Sequence, residues 1–144
     1  MYEYTEWPHT YSNGFFFHYK DCRDEEEYNV SHMKDAIRVN PGDEAKNIVK
    51  TVEDLKLRGS HDVVCYCSVG YRSSDVAQKL TRFFKSDDSE SRPPTCYNLE
   101  GSLFKWANER RPMVDNENQP TSFAHPYNAV FGKLLDSALR KYPT

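Results

Sequence analysis

The chain has 144 residues, and its 19 Lys and Arg against 22 Asp and Glu give a formal charge of -3 at pH 7. That length is one domain, able to bury roughly 68% of its extended surface without a disulfide or metal staple. The mild acidity argues against an extended nucleic-acid footprint. No apolar run approaches the ~20 residues that span a bilayer and no lysine-led apolar leader opens the chain, so the expectation is a cytoplasmic protein without a membrane partner.

Met1 to Gly14 is aromatic and polar without a clean period, and is read as an irregular arm or edge strand ahead of one domain over residues 15–144. Phe15 to Tyr19 has the length and composition of a buried strand, and the acidic group Asp24 to Glu27 opens a short helical turn. Ala36 to Val39 is a second short strand, closed by Asn40-Pro41-Gly42. Ala45, Ile48, Val49, Val52 and Leu55 recur at helical spacing, which predicts an amphipathic helix from Asp43 to about Leu57, ended by Gly59. Asp62 to Cys67 is the strongest strand signal in the chain. From about Arg72 the period turns helical again through Val76, Ala77, Leu80, Phe83 and Phe84.

Residues Lys85 to Pro94, with the acidic run Asp87-Asp88-Ser89-Glu90, form a surface loop, Thr95 to Leu99 a strand, and Leu103, Trp106 and Ala107 the face of a short helix. No period survives from Arg111 to His125, a segment long enough to be a functional flap or a surface wrap. Val130, Phe131, Leu134, Leu135, Ala138 and Leu139 then predict a final amphipathic helix. Short strands alternating with helices favour a small α/β domain with a central parallel sheet flanked by helices.

The chemistry concentrates in Cys67-Ser68-Val69-Gly70-Tyr71-Arg72-Ser73. In open α/β sheets, ligands bind beyond the carboxyl ends of the strands, where Cys67 stands with a glycine turn and a helix start behind it. Backbone amides in such a turn converge on an anion, Arg72 adds a fork of donors, and both favour a thiolate. The residues therefore describe either a nucleophilic cysteine in an oxyanion cradle or a small buried hydrophobe at a strand end.

At these positions the chain resembles the rhodanese family of sulfurtransferases. Cys67, Gly70, Arg72 and Ser73 follow that family's Cys-x-x-Gly-x-Arg-Ser/Thr loop. Asp21-Cys22-Arg23, Glu27-Tyr28, Ser31-His32-Met33, Ala36 to Pro41, and Leu99-Glu100-Gly101-Ser102 with Trp106 are similar to its other motifs in order, covering about Phe15 to Arg111. The resemblance implies that Cys67 takes sulfane sulfur from thiosulfate or a persulfide and passes it to cyanide or a thiol, without a cofactor. It further implies that the loop from Ser68 to Ser73 holds the persulfide, that Arg72 organises the loop, and that Asp21, Arg23 and His32 support the fold. Ser68 stands where the family often has Arg, which points to weak thiosulfate turnover or another donor. Tyr71 adds an aromatic wall, and Ser31 and Ser102 replace family glycines.

Four alternatives carry different chemistry. A phosphatase or arsenate reductase of the closest kind needs five residues between Cys and Arg, where Cys67 and Arg72 enclose four. Zinc at His61, Cys65 and Cys67 lacks a second ligand pair; the alternation instead buries Cys65 and lets Cys67 emerge at the loop. Cys65 or Cys22 is placed to resolve an oxidised Cys67. A non-enzymatic module that binds a protein partner would use the N-terminus, Tyr71 and the segment 111–125. The sequon Asn29-Val30-Ser31 is read as incidental.

Overall fold

The computed structural model describes residues 3–5, 16–53, 61–86 and 93–143. The strands are β1 (Glu3–Thr5), β2 (Phe16–Asp21), β3 (Ile37–Arg38), β4 (His61–Tyr66) and β5 (Cys96–Leu99). They form one parallel sheet in the order β1-β5-β4-β2-β3. Part of the N-terminal arm is thus an edge strand, with Glu3 opposite Tyr97. The rest of that arm, the end of the predicted 43–57 helix and the acidic run 87–90 lie outside the described residues.

β4 is central because both its faces are apolar. Val63 and Cys65 enter one core and Val64 and Tyr66 the other, all at most 1% exposed. On the first face α2 (Ala45–Glu53) contributes Ile48 and Val49, and α3 (Tyr71–Ser86) contributes Val76, Ala77 and Leu80. Lys79 Nζ donates to the carbonyls of Pro41 and Asp43 at 2.7 and 2.6 Å, tying α3 to the chain before α2. The second face is covered by α4 (Ser102–Asn108), through Leu103, Phe104, Trp106 and Ala107, together with the C-terminal segment. A short helix α1 (Glu25–Val30) follows β2. The chain reverses its direction across the sheet between β3 and β4, so the carboxyl ends of β2 and β4 flank a topological switch point.

Two segments differ from their sequence expectation. Residues 111–125 contain a small hairpin, β6 (Met113–Val114) against β7 (Pro120–Thr121). Val114 also exchanges backbone bonds with His32, which fastens the hairpin beside α1. Two-residue strands are too short to leave a period in the sequence.

The predicted final helix is instead two single 3-10 turns, Phe131–Leu134 and Ser137–Leu139, separated by extended backbone at Leu135 and Asp136. Gly132 packs against Pro126, where an added Cβ would lie 2.9 Å from Pro126 Cβ. The Asn108 side chain donates to the Leu134 carbonyl at 2.9 Å and accepts the Asp136 amide at 2.8 Å, so backbone groups a helix would pair internally are held by α4. Leu135 and Leu139 still reach the core, four residues apart, but Val130 and Leu134 remain 72% and 59% exposed. The apolar spacing recorded core contacts; it did not require one helix.

Candidate active site

β4 delivers Cys67 to the switch point, and Gly70 turns the chain into α3 with φ +113°, a conformation that disfavours any side chain. The turn brings the Gly70 amide to donate to Cys67 Sγ at 3.1 Å. Ser73 Oγ lies 3.4 Å from the same sulfur and donates to Asn98 Oδ1 at 2.6 Å. A hydroxyl has one hydrogen, so the shorter bond to Asn98 holds it until a charged sulfur draws it round. The amides of Tyr71, Arg72 and Ser73 open a sixteen-residue helix and have no acceptor within it, so they add a favourable field for negative charge near the loop.

The loop is fixed from behind by α4. Gly101 and Ser102 both take positive φ, 70° and 49°, which turns the chain sharply from β5 into the helix. Ser102 Oγ then accepts the Cys67 amide at 3.3 Å, while the amides of Leu103 and Phe104 donate to the carbonyls of Cys67 and Ser68 at 3.0 and 3.1 Å. Ser102 is strained for a non-glycine residue, but its hydroxyl replaces what a glycine lacks: a direct bond to the cysteine backbone. Asn98 Nδ2 donates to the Gly70 carbonyl at 3.2 Å, so β5 holds both ends of the turn.

Arg72 does not point at the sulfur. Its two terminal nitrogens donate to the Glu27 carboxylate at 2.7 and 2.9 Å, and one also to Ser68 Oγ at 3.1 Å. Ser68 in turn donates to Glu27 at 3.0 Å, and the Asp24 amide reaches the same carboxylate at 3.0 Å. Tyr127 covers the guanidinium, its ring centre 4.4 Å from the Arg72 carbon. Burial alone would push the Glu27 carboxyl up, but the Arg72 fork outweighs it and holds the group below its ordinary value of 4.5. Arg72 is therefore a loop organiser, clamped to α1.

Glu27→Gln is expected to cost about 2 kcal/mol, the order of one charge-assisted bond. Because the folded carboxyl titrates below the unfolded one, wild type should lose this contribution as pH falls below 4.5, and the variant should lack that acid limb. Urea unfolding of both proteins at neutral and acidic pH measures the difference. Equal stability at pH 7 would deny Glu27 this role.

A second buried network lies at the end of β2. Arg23 donates through Nε and Nη2 to Asp21 at 2.9 and 2.7 Å, and through Nη2 to the Ser31 carbonyl at 2.6 Å. Tyr66 donates to Asp21 at 2.8 Å and accepts the Met33 amide at 3.1 Å. His32 stacks on Tyr28, ring centres 3.7 Å apart, with Nδ1 at 2.9 Å from the Tyr28 carbonyl. Asp21, Arg23 and His32, the three predicted supporting residues, make no hydrogen bond to Cys67 in the bonding described above.

Cys22, Cys65, Cys67 and Cys96 are free and buried in one core cluster. Cys67 is only 1% exposed, so it does not emerge at the loop as its strand alternation suggests. The Gly70 turn and Ser73 fold over it. Burial pushes the Cys22 and Cys96 thiols up, which makes both poor nucleophiles. Among the described residues no three His, Cys, Asp or Glu side chains gather as a metal site, and no helix is long and apolar enough to cross a membrane. Glu27, Asn98, Ser102 and Tyr127 are site components that loop spacing does not reveal. Only Glu27 and Ser102 fell within motifs at all.

A family model described as Rhodanese-like domain matches residues 17–109. No curated protein sequence matches the chain. Among solved structures, one described as rhodanese with anions from E. coli is 23% identical, with 69% of this chain and 98% of that one covered and a TM-score of 0.50. A Helicobacter pylori protein gives 21%, 69%, 78% and 0.51 for the same quantities. A Bacillus halodurans protein gives 18%, 69%, 64% and 0.50, so this chain spans just under two thirds of its length. At these identities the structures share the fold.

Proposed function

The chain belongs to the rhodanese-like domain family, and on that premise we propose that it is a sulfurtransferase carrying sulfane sulfur on Cys67. The supporting observation is the Gly70 amide on Cys67 Sγ at 3.1 Å, beside the opening amides of α3. In the first half-reaction the Cys67 thiolate attacks the outer sulfur of thiosulfate. The new Sγ–S bond forms as the donor S–S bond breaks, and the electron pair leaves on sulfite. Cyanide or a thiolate then attacks the outer sulfur of the persulfide, and Sγ recovers its pair. The charge on sulfur in each half meets backbone donors already in place. Ser68, Val69, Gly70, Tyr71 and Ser73 shape the pocket, Arg72 keeps its form through Glu27, and Asp21, Arg23 and His32 support the sheet ends.

Thiosulfate:cyanide transfer by wild type and Cys67→Ala, with mass detection of one added sulfur, tests this. The variant should lose turnover at least roughly a thousandfold and carry no added sulfur. Absence of turnover and of a Cys67 persulfide with every donor tried would overturn the proposal. So would hydrolysis of a small aryl phosphate abolished by Cys67→Ser. One observation favours a second reading, a module that binds without turnover: the thiol is 1% exposed. The persulfide measurement separates the two.

A further inference from the structure

The family match covers residues 17–109, so the C-terminal turns lie beyond it. They nevertheless reach the cysteine loop at two consecutive residues. Tyr127 lies over the Arg72 guanidinium, its ring centre 4.4 Å from the central carbon, and Phe131 meets Tyr71 edge to face with centres 6.2 Å apart. Phe131 also packs on Tyr127 at 5.8 Å, so the three rings form one unit across the start of α3.

Tyr127 is held there at a backbone cost. Its φ is +68°, a left-handed conformation uncommon for any side chain and rarer for a bulky one. Such a residue persists where its surroundings over-determine it. Here the buried His125 accepts the Tyr127 amide on Nδ1 at 2.9 Å, the Asn128 amide donates to the Pro126 carbonyl at 2.8 Å, and Gly132 packs on Pro126. These constraints set one ring against the guanidinium whose bonds to Glu27 and Ser68 give the loop its form. A ring holds a guanidinium through its π-face, and so does not compete for the N–H donors that Glu27 and Ser68 use.

We infer that the C-terminal segment completes the site, with Tyr127 as a positioning residue: its ring keeps Arg72 on Glu27 and Ser68, and so keeps the Gly70 turn closed over Cys67. The inference rests on the sulfurtransferase proposal for one of its readouts and on the buried sulfur alone for the other. Without the ring the guanidinium is drawn toward water, the turn opens more often, and the Gly70 amide is no longer held at Sγ.

The test compares wild type, Tyr127→Gly and Tyr127→Phe. Glycine adopts φ +68° freely, so Tyr127→Gly relieves the backbone while it removes the ring. Loading of Cys67 by thiosulfate, read by mass in a single turnover, should fall about tenfold in Tyr127→Gly. It should stay within about twofold of wild type in Tyr127→Phe, whose ring still attracts the cation. Alkylation by iodoacetamide, resolved by peptide mass, needs access to the sulfur but no anion cradle. It should rise by about the same tenfold at Cys67 in Tyr127→Gly, with Cys22, Cys65 and Cys96 at their wild-type rates. In an Arg72→Met background, Tyr127→Gly should change neither rate further, because the ring acts through the guanidinium. Unchanged loading or unchanged Cys67 alkylation in Tyr127→Gly overturns the inference. So does an effect that persists in Arg72→Met, a loss shared by Tyr127→Phe, or faster alkylation of all four cysteines, which is loss of the fold. If no donor loads wild type, the sulfurtransferase proposal fails and alkylation still judges Tyr127: acceleration confined to Cys67 supports the inference, and its absence overturns it.

Discussion

Asp21→Ala is expected to destabilise the domain by about 3–5 kcal/mol, the range for stripping a partner from a buried charge. Asp21 and Arg23 are both fully buried, and the carboxylate accepts the Arg23 side chain twice, the Arg23 amide at 3.1 Å and the Tyr66 hydroxyl. Burial opposes the guanidinium charge, but Asp21 overrides it and keeps the Arg23 pKa above its ordinary value. Without Asp21, the charge stays buried with one remaining side-chain bond, to the Ser31 carbonyl. Tyr66 loses its acceptor in the same step. Urea unfolding should show a lower midpoint at unchanged slope. The double variant Asp21→Ala/Arg23→Met should recover part of the loss, because it removes the orphaned charge as well. A single-variant loss under about 1 kcal/mol would mean that water or local rearrangement satisfies Arg23.

The consequence extends to the site because the network joins the ends of β2 and β4. Tyr66 immediately precedes Cys67, and its hydroxyl binds both Asp21 and the Met33 amide. Loss of Asp21 therefore releases a side chain that fixes the strand end from which the cysteine loop starts. Under the proposed sulfurtransferase function, transfer should fall in Asp21→Ala as a positioning effect, and the double variant should restore stability more than transfer.

What was legible in the sequence follows physical range. β4 and α3 announce themselves because the unbroken apolar run from Val63 to Cys67 and a helical apolar stripe within sixteen residues are local signals. The loop from Cys67 to Ser73 is legible because its chemistry depends on spacing within seven residues. The partners that complete it come from far along the chain: Glu27 is 45 residues from Arg72, and Ser102 is 35 from Cys67. Glu27 looks locally like one more acidic residue favouring a helix start, and nothing in that neighbourhood shows that Arg72 will arrive. The C-terminal turns fail for the opposite reason. Their apolar spacing fits a helix, but Pro126 against Gly132 and the Asn108 clamp act from outside the pattern.

Lys20 departs from the exposed position usual for a lysine. A lysine near the end of an aromatic strand suggests an exposed position, yet Lys20 is fully buried and its Nζ has no hydrogen-bond partner among the described residues. Lys20 is in register with Cys65 across β2 and β4, so its side chain stands on the sheet face where Cys65 packs with α2 and α3. Burial lowers its pKa from 10.5 to about 8, only partly opposed by Cys65 and Cys22. Between those two values the unfolded chain holds the proton more tightly than the folded one, so stability should rise with pH through that window. Below pH 8 the charge is present in both states and its folded-state cost, about 3 kcal/mol at 1.36 kcal/mol per unit, is complete.

Lys20→Met keeps an unbranched side chain and removes the amine, so it should stabilise the domain at pH 7 by up to about 3 kcal/mol. The advantage should shrink as pH rises from 8 to 10.5. Urea unfolding of both proteins across this range isolates Lys20, because the thiols and tyrosines that also titrate there are common to both. A variant no more stable at pH 7, or an advantage constant with pH, would show that the ammonium is accommodated despite its burial. The sign is opposite to that of Asp21→Ala although the two residues are adjacent in β2. Asp21 is a buried charge with its partners assembled around it, and Lys20 is a buried charge with no hydrogen-bond partner among the described residues. Burial is common to both, so the difference in expected stability measures what the partners contribute.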